Sequence, residues 1–202
     1  EMIFLTKGVV RAAQHALVVA DMPFGSYQVN DDEAVRSAIR VLKESGADAV
    51  KLEGGQEIAD AIRRMVQAGV PVCGHLGLTP QSVNQFGGYG LRAKEEAEAA
   101  KLIADAHALE QAGCFCIVLE KIPAALAERV TREVSCPTIG IGAGAGTDGQ
   151  VLVLHDMLGL NEGFKPKFLR QFAHLAEPVK QAVGKYVAAV RDSSFPSAEE
   201  SY

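Results

Sequence analysis

No apolar stretch in the 202 residues approaches the roughly 18 that would read as a membrane span. The start also lacks the basic, apolar, small-residue order of a signal peptide, so a cytosolic location is expected. Runs of Lys or Arg are missing as well, and 20 basic against 25 acidic side chains leave a formal net charge of −5. A dedicated surface for nucleic acid or for an anionic membrane needs clustered positive charge, so neither is expected as a partner. The four cysteines, Cys73, Cys114, Cys116 and Cys136, never stand in Cys-x-x-Cys spacing. They read as buried thiols rather than as a zinc site or disulfide framework. There is no internal repeat and no linker rich in Gly, Ser or Pro. With 48% apolar and 22% charged residues, the chain has the composition of a globular protein with a substantial core. One domain over residues 1–192 with a polar tail at 193–202 is expected.

What is present is an alternation of short β-branched runs with longer amphipathic stretches, the pattern of parallel βα units. Strands are predicted at Ala16 to Ala20, Ala49 to Leu52, Val70 to Cys73, Phe115 to Leu119, Thr138 to Ile141 and Val151 to Leu154. Glu1 to His15 reads as a helix. Asn30 to Asp32 can cap another, which carries Val35, Ile39 and Leu42 on one face and ends at Gly46. Ile58, Ile62 and Val66 repeat the theme before Gly69, and Leu102, Ala106 and Leu109 before Gly113. Pro123 suits a first helical position. Two last helices are predicted near Lys167 to Ala176 and Val179 to Arg191.

Six parallel strands suit either an open doubly wound sheet or most of a closed (β/α)₈ barrel of about 250 residues. Nearly every predicted strand is followed at once by a reactive group: Asp21, Lys51 with Glu53, His75, Glu120, then the glycines from Gly140. Strand ends in a barrel ring one pocket, so convergence from five strands favours the barrel. Two absent βα units of about 30 residues each would fit ahead of Glu1.

Asp21, before Met22-Pro23-Phe24-Gly25, can be a simple turn residue. Lys51 and Glu53 lie on one side of their strand by its period of two, and can be a structural ion pair. Yet a strand buried on both faces carries two charges only where something compensates them. Asp21 and Glu53 from neighbouring strand ends could hold Mg²⁺, which commonly takes one or two carboxylates and keeps water or substrate oxygens. Lys51 would then neutralise a substrate carboxylate, which describes a site for a chelating oxyacid. Glu120 ends another apolar strand, and its neighbour Lys121 points to the opposite side. A poorly solvated carboxylate there suits a general base that must take a carbon-bound proton. His75 can orient an acid or bind substrate, or simply be a core histidine. The run Gly140-Ile141-Gly142-Ala143-Gly144 does not match the dinucleotide spacing, and better fits backbone lining a pocket. Ser26, Thr79 and Ser82 lack an evident His/Asp partner for nucleophilic catalysis.

Several ordered motifs resemble a known family across essentially the whole chain. They are Ala20-Asp21-Met22-Pro23-Phe24, Lys51-Leu52-Glu53-Gly54-Gly55, Val72-Cys73-Gly74-His75-Leu76-Gly77-Leu78-Thr79-Pro80-Gln81, Phe86-Gly87-Gly88-Tyr89, Val118-Leu119-Glu120 and Ile139-Gly140-Ile141-Gly142-Ala143-Gly144. Their order is similar to that of the ketopantoate hydroxymethyltransferases. The resemblance implies a (β/α)₈ TIM barrel of the phosphoenolpyruvate/pyruvate type that lacks its N-terminal one or two βα units here, Mg²⁺, and 5,10-methylenetetrahydrofolate as one-carbon donor to 3-methyl-2-oxobutanoate. It implies Asp21 and Glu53 as metal ligands, Asp21, Lys51 and His75 as substrate contacts, Glu120 as proton acceptor, and a large homo-oligomer. An early family strand ending in an Asp-Ser pair has no counterpart in this sequence. Two alternatives stand beside this reading. One is a carbon-carbon lyase or mutase of the isocitrate-lyase/phosphoenolpyruvate-mutase type, for which Pro71 and Val72 replace the Lys-rich lead-in to Cys73-Gly74-His75. The other is an incomplete, non-catalytic barrel.

Overall fold

A computed structural model describes residues 1–163 and 165–202. The chain forms two compact units, Glu1–Val151 and Leu152–Tyr202. In the first, the elements are α1 (Met2–Ala12), β1 (Val19–Asp21), α2 (Asp31–Ser45), β2 (Ala49–Glu53), α3 (Ala59–Gln67), β3 (Val72–Gly77), α4 (Val83–Phe86), α5 (Glu96–Ala112), β4 (Cys116–Glu120), α6 (Ala124–Glu133), β5 (Thr138–Ile141) and β6 (Gly149–Gln150). The second carries α7 (Leu154–Met157) and α8 (Ala176–Arg191). No helix among the described residues is long and apolar enough to cross a membrane.

The helix boundaries follow from their end residues. Asn30 caps α2 by accepting the Glu33 N–H at 2.9 Å, and Asp31, Asp32 and Glu33 place negative charge at the positive end of the helix dipole. Gly46 closes α2 in the left-handed region at φ 78°, a conformation that costs residues with a Cβ. Pro123 sits one residue earlier than expected, at the N-cap of α6.

All neighbouring strands pair in parallel, in the order β1-β2-β3-β4-β5-β6. An open doubly wound sheet reverses its strand order at a switch point. This sheet never reverses, so it is singly wound: a curled half-barrel. The register separates two faces. Ala20, Val50, Leu52, Val72, Leu76, Ile117, Leu119 and Thr138 are buried on one face, against which α2, α3 and α5 pack. The other face carries Asp21, Lys51 and Cys73 in one row, Glu53, His75 and Val118 in the next, and Gly77 with Glu120 in a third.

Two expectations fail near the second unit. In place of a strand at Val151 to Leu154, only Gly149–Gln150 pairs with β5, and Leu154–Met157 is helical. The predicted helix at Lys167 to Ala176 is absent. Its would-be helical N–H groups are used elsewhere, with Phe172, Leu175 and Ala176 donating to the carbonyls of Met157, Leu158 and Gly159. Tertiary backbone bonds thus override a local apolar period. The predicted last helix is present and starts earlier, at Ala176.

Candidate active site

β1, β2 and β4 each end on a carboxylate, Asp21, Glu53 and Glu120, while Lys51 and His75 lie within β2 and β3. The parallel register brings all five side chains to the same rim of the sheet. Lys51 Nζ lies 2.9 Å from Asp21 Oδ1, 3.8 Å from Glu53 Oε1 and 3.2 Å from His75 Nδ1. His75 Nε2 in turn lies 3.2 Å from Glu120 Oε2. The Lys51–Glu53 pair expected from spacing is therefore the looser one, and Asp21 is the closer partner. Lys121 turns away from Glu120 and donates to the Tyr89 carbonyl.

Lys51 and Glu120 lie on opposite sides of the His75 ring. An ammonium only donates, so in a neutral ring Nδ1 accepts from Lys51 and the hydrogen is on Nε2, toward Glu120. Three carboxylates meet a single ammonium at this rim. The side chains of Glu53 and His75 are only 4% and 3% exposed, so solvent does little to offset this charge. Burial pushes the Glu53 carboxyl above the usual range, opposed by the Gln81 N–H, His75 and Lys51.

Asp21 Oδ1 and His75 Nε2 are buried without an aligned hydrogen bond, although each has an ionic or polar neighbour. Glu53 uses Oε2 to accept the Gln81 N–H at 2.9 Å and keeps Oε1 toward Lys51 and His75. No group of three or more His, Cys, Asp or Glu side chains among the described residues is arranged as a metal cage. A smaller donor set could hold a cation: two hard carboxylates, Asp21 and Glu53, each with an oxygen free of aligned hydrogen bonds. That suits a hard divalent ion that retains water or substrate ligands.

Gly77 lets β3 approach the end of β4. At φ 93°, a Cβ there would lie 2.2 Å from the Glu120 carbonyl oxygen, which instead accepts the Leu78 N–H at 2.8 Å. A cavity of about 550 Å³ adjoins the rim at Glu53 and is also bounded by Tyr27, Gln81, Phe86, Arg92 and Lys101. Lys51, His75 and Glu120 lie outside its wall.

Comparison with known proteins bears on what this rim belongs to. A model of the family described as ketopantoate hydroxymethyltransferase matches residues 1–198. The chain is 59% identical to 3-methyl-2-oxobutanoate hydroxymethyltransferase of Porphyromonas gingivalis (strain W83) and 58% identical to the enzyme of that name in Parabacteroides distasonis. Each match covers 100% of this chain and 74% of the relative. This chain belongs to the ketopantoate hydroxymethyltransferase family. Among solved structures, phosphonopyruvate hydrolase aligns with a TM-score of 0.54 at 13% identity, covering 99% of this chain and 73% of that one, in a crystal with oxalate and Mg²⁺. A second structure of phosphonopyruvate hydrolase gives 0.52 at 13% identity, covering 98% and 71%. At such identity the likeness is one of fold. Family membership rests on the sequence matches, and these favour the hydroxymethyltransferase reading over the lyase one.

Two residues that contact this rim, Tyr27 and Gln81, are not singled out as functional candidates by the sequence. Tyr27 is 3% exposed. Its hydroxyl accepts the Glu53 N–H at 3.1 Å and donates to Gln81 Oε1 at 2.7 Å. A tyrosine in an apolar surround with no sequence neighbour to pair with gives no local signal. Gln81 stands in a motif that the resemblance used, but its contacts are all long-range.

Proposed function

We propose that the chain transfers a hydroxymethyl group from 5,10-methylenetetrahydrofolate to 3-methyl-2-oxobutanoate, giving 2-dehydropantoate, with Mg²⁺ as cofactor. The observation that carries this reading is the meeting of Asp21, Lys51, Glu53, His75 and Glu120 in one contact network, in a chain of this family. Three carboxylates alone would repel an anionic keto acid. A divalent ion held by Asp21 and Glu53 would offset that repulsion and supply Lewis acidity toward the keto oxygen.

The remaining roles belong to the chain. Lys51 pairs with the substrate carboxylate, exchanging part of its contact with Asp21 for a ligand anion. Glu120 accepts the proton from the carbon next to the ketone. His75, whose Nε2 lies 3.2 Å from Glu120 Oε2, orients the Glu120 carboxylate. The substrate carbon forms its new bond to the donor's methylene carbon as one of that carbon's two C–N bonds breaks, water then displaces the second folate nitrogen, the protons taken from the substrate carbon and from water end on the two nitrogens, and the product leaves with the added CH₂OH. The cavity beside Glu53 offers room for part of the second substrate. In this reading the curled sheet is wall of a (β/α)₈ TIM barrel of the phosphoenolpyruvate/pyruvate type, with residues 1–192 in that domain and 193–202 a tail, and the protein works as a cytosolic homo-oligomer.

Mass-spectrometric detection of 2-dehydropantoate tests the reading, with both substrates and Mg²⁺ supplied and isocitrate offered in parallel. Product that requires folate and disappears in excess EDTA is expected. An unchanged rate in EDTA would remove the metal from the mechanism, and cleavage of isocitrate without hydroxymethyl transfer would overturn the assignment.

A further inference from the structure

The two carboxylates proposed to share a cation sit on different strands, and the parallel ladder fixes only their backbones. One further ladder bond follows each, from the Met22 N–H to the Lys51 carbonyl at 3.0 Å and from the Gly54 N–H to the His75 carbonyl at 3.2 Å, but these hold only backbone, and the carboxylate side chains need a separate restraint. One residue supplies it. Gln81, in the single 3₁₀ turn Pro80–Ser82 after β3, donates its backbone N–H to Glu53 Oε2 at 2.9 Å. Its side-chain Nε2 donates to the Met22 carbonyl, one residue beyond Asp21, at 2.8 Å. Its Oε1 accepts from Tyr27 Oη at 2.7 Å and from Gln28 Nε2 at 3.1 Å. The buried Tyr27 hydroxyl then accepts the Glu53 N–H at 3.1 Å. Three strand ends are thereby tied through one amide and one phenol, and the hydroxyl proton is committed to Gln81.

We propose that Gln81, acting with Tyr27, is a positioning residue of the transfer reaction. It sets the separation of the Asp21 and Glu53 carboxylates, and so the grip on the divalent cation and on the chelating keto acid. This rests on the function proposed above, and goes beyond it in naming what holds the ligand pair. Neither residue touches the reacting atoms. Removing either should loosen ligand geometry while leaving Glu120 and His75 in place. Outer groups that orient metal ligands typically contribute 10–100-fold to metal affinity.

The test uses Tyr27→Phe, which removes one oxygen from a ring that remains apolar, and Gln81→Leu, which removes the side-chain amide but retains the backbone N–H. Mg²⁺ binding is measured by calorimetry without turnover, alongside kcat, KM for the keto acid and thermal stability. Each variant is expected to bind Mg²⁺ about 10–100-fold more weakly and to show a raised KM, with a smaller fall in kcat at saturating Mg²⁺. A lower melting temperature with wild-type Mg²⁺ affinity would show a purely structural role and overturn the proposal. If Gln81→Leu does not fold, Tyr27→Phe decides alone. Failure of the parent reading is distinct: the unsubstituted chain would then show no Mg²⁺ binding sensitive to Asp21→Asn or Glu53→Gln, and the clamp's role would fall with it.

Discussion

On the face of the sheet turned toward the helices, Leu52, Ile117 and Leu119 are completely buried, whereas their sequence neighbours Lys51, Val118 and Glu120 on the opposite face keep some exposure. The two faces are separated by a single step along each strand. Stability is concentrated on one and chemistry on the other, and a one-residue register slip would exchange them. The apolar face needs no compensation for what it buries. The rim does, since three carboxylates share one ammonium there, an arrangement that suits a charged ligand better than it suits folding. A binding site carrying that imbalance is tolerated because the helix-covered face contributes the burial.

Substitutions that alter one face at a time sharpen this contrast. The largest expected effect is at Glu120. Glu120→Gln keeps size and polarity but cannot accept the substrate proton, so kcat should fall about 10²–10⁴-fold with an unchanged thermal melt. A variant retaining most of its kcat would remove Glu120 from the base role. Next to it in sequence, Leu119→Ala acts on the other face. Loss of a fully buried leucine should cost about 2–5 kcal/mol in urea unfolding, while the fraction that remains folded retains its KM.

Gly74 and His75 make the same contrast with smaller stability effects. A Cβ on Gly74 would lie 2.7 Å from Leu109 Cδ1 and 3.4 Å from Cys114 Sγ, so Gly74→Ala must displace α5 side chains. A cost of about 1–3 kcal/mol is expected, with little change in kcat. His75→Ala should instead reduce kcat by removing the group that orients Glu120. Chemical denaturation and steady-state rates on the two variants check the separation. Equal loss of rate and of stability in both would mean that the faces are coupled more tightly than their burial implies.

The same contrast explains what could be read in advance. Lys51, Glu53 and Glu120 stand out because charges interrupt runs of strand-forming apolar residues, and period-two geometry assigns their face without any tertiary information. Convergence of reactive residues on strand ends favours a curling sheet over a doubly wound one, and the parallel order β1 to β6 agrees with that much. Gln81 and Tyr27 could not be read in this way, because the bond between them spans 54 residues of sequence and the one from Gln81 to Glu53 spans 28. The missing helix at Lys167 to Ala176 has the same cause with the opposite sign: distant carbonyls capture N–H groups that a local period assigns to a helix.

The thiols give the smallest predicted effect. Cys73 and Cys116 are register partners on the chemical face, beneath Lys51, yet both are buried. A hydrogen bond to Cys116, with burial, pushes the Cys73 thiol well up. Burial also pushes Cys114 up to about 12 and Cys136 up to about 11. A raised thiol pKa means less thiolate at a given pH, and the thiolate is the nucleophile. Cys116 is the exception, its thiol drawn down by the hydrogen bond with Cys73, but it is buried; at pH 8 the native chain should therefore react slowly with a disulfide reagent, beginning with the half-buried Cys136, and all four thiols should react at once in denaturant. Labelling with peptide mapping resolves the order. Rapid native labelling at Cys73 would show that the rim opens more widely than the packing beneath Lys51 allows, and would place a reactive group on the chemical face.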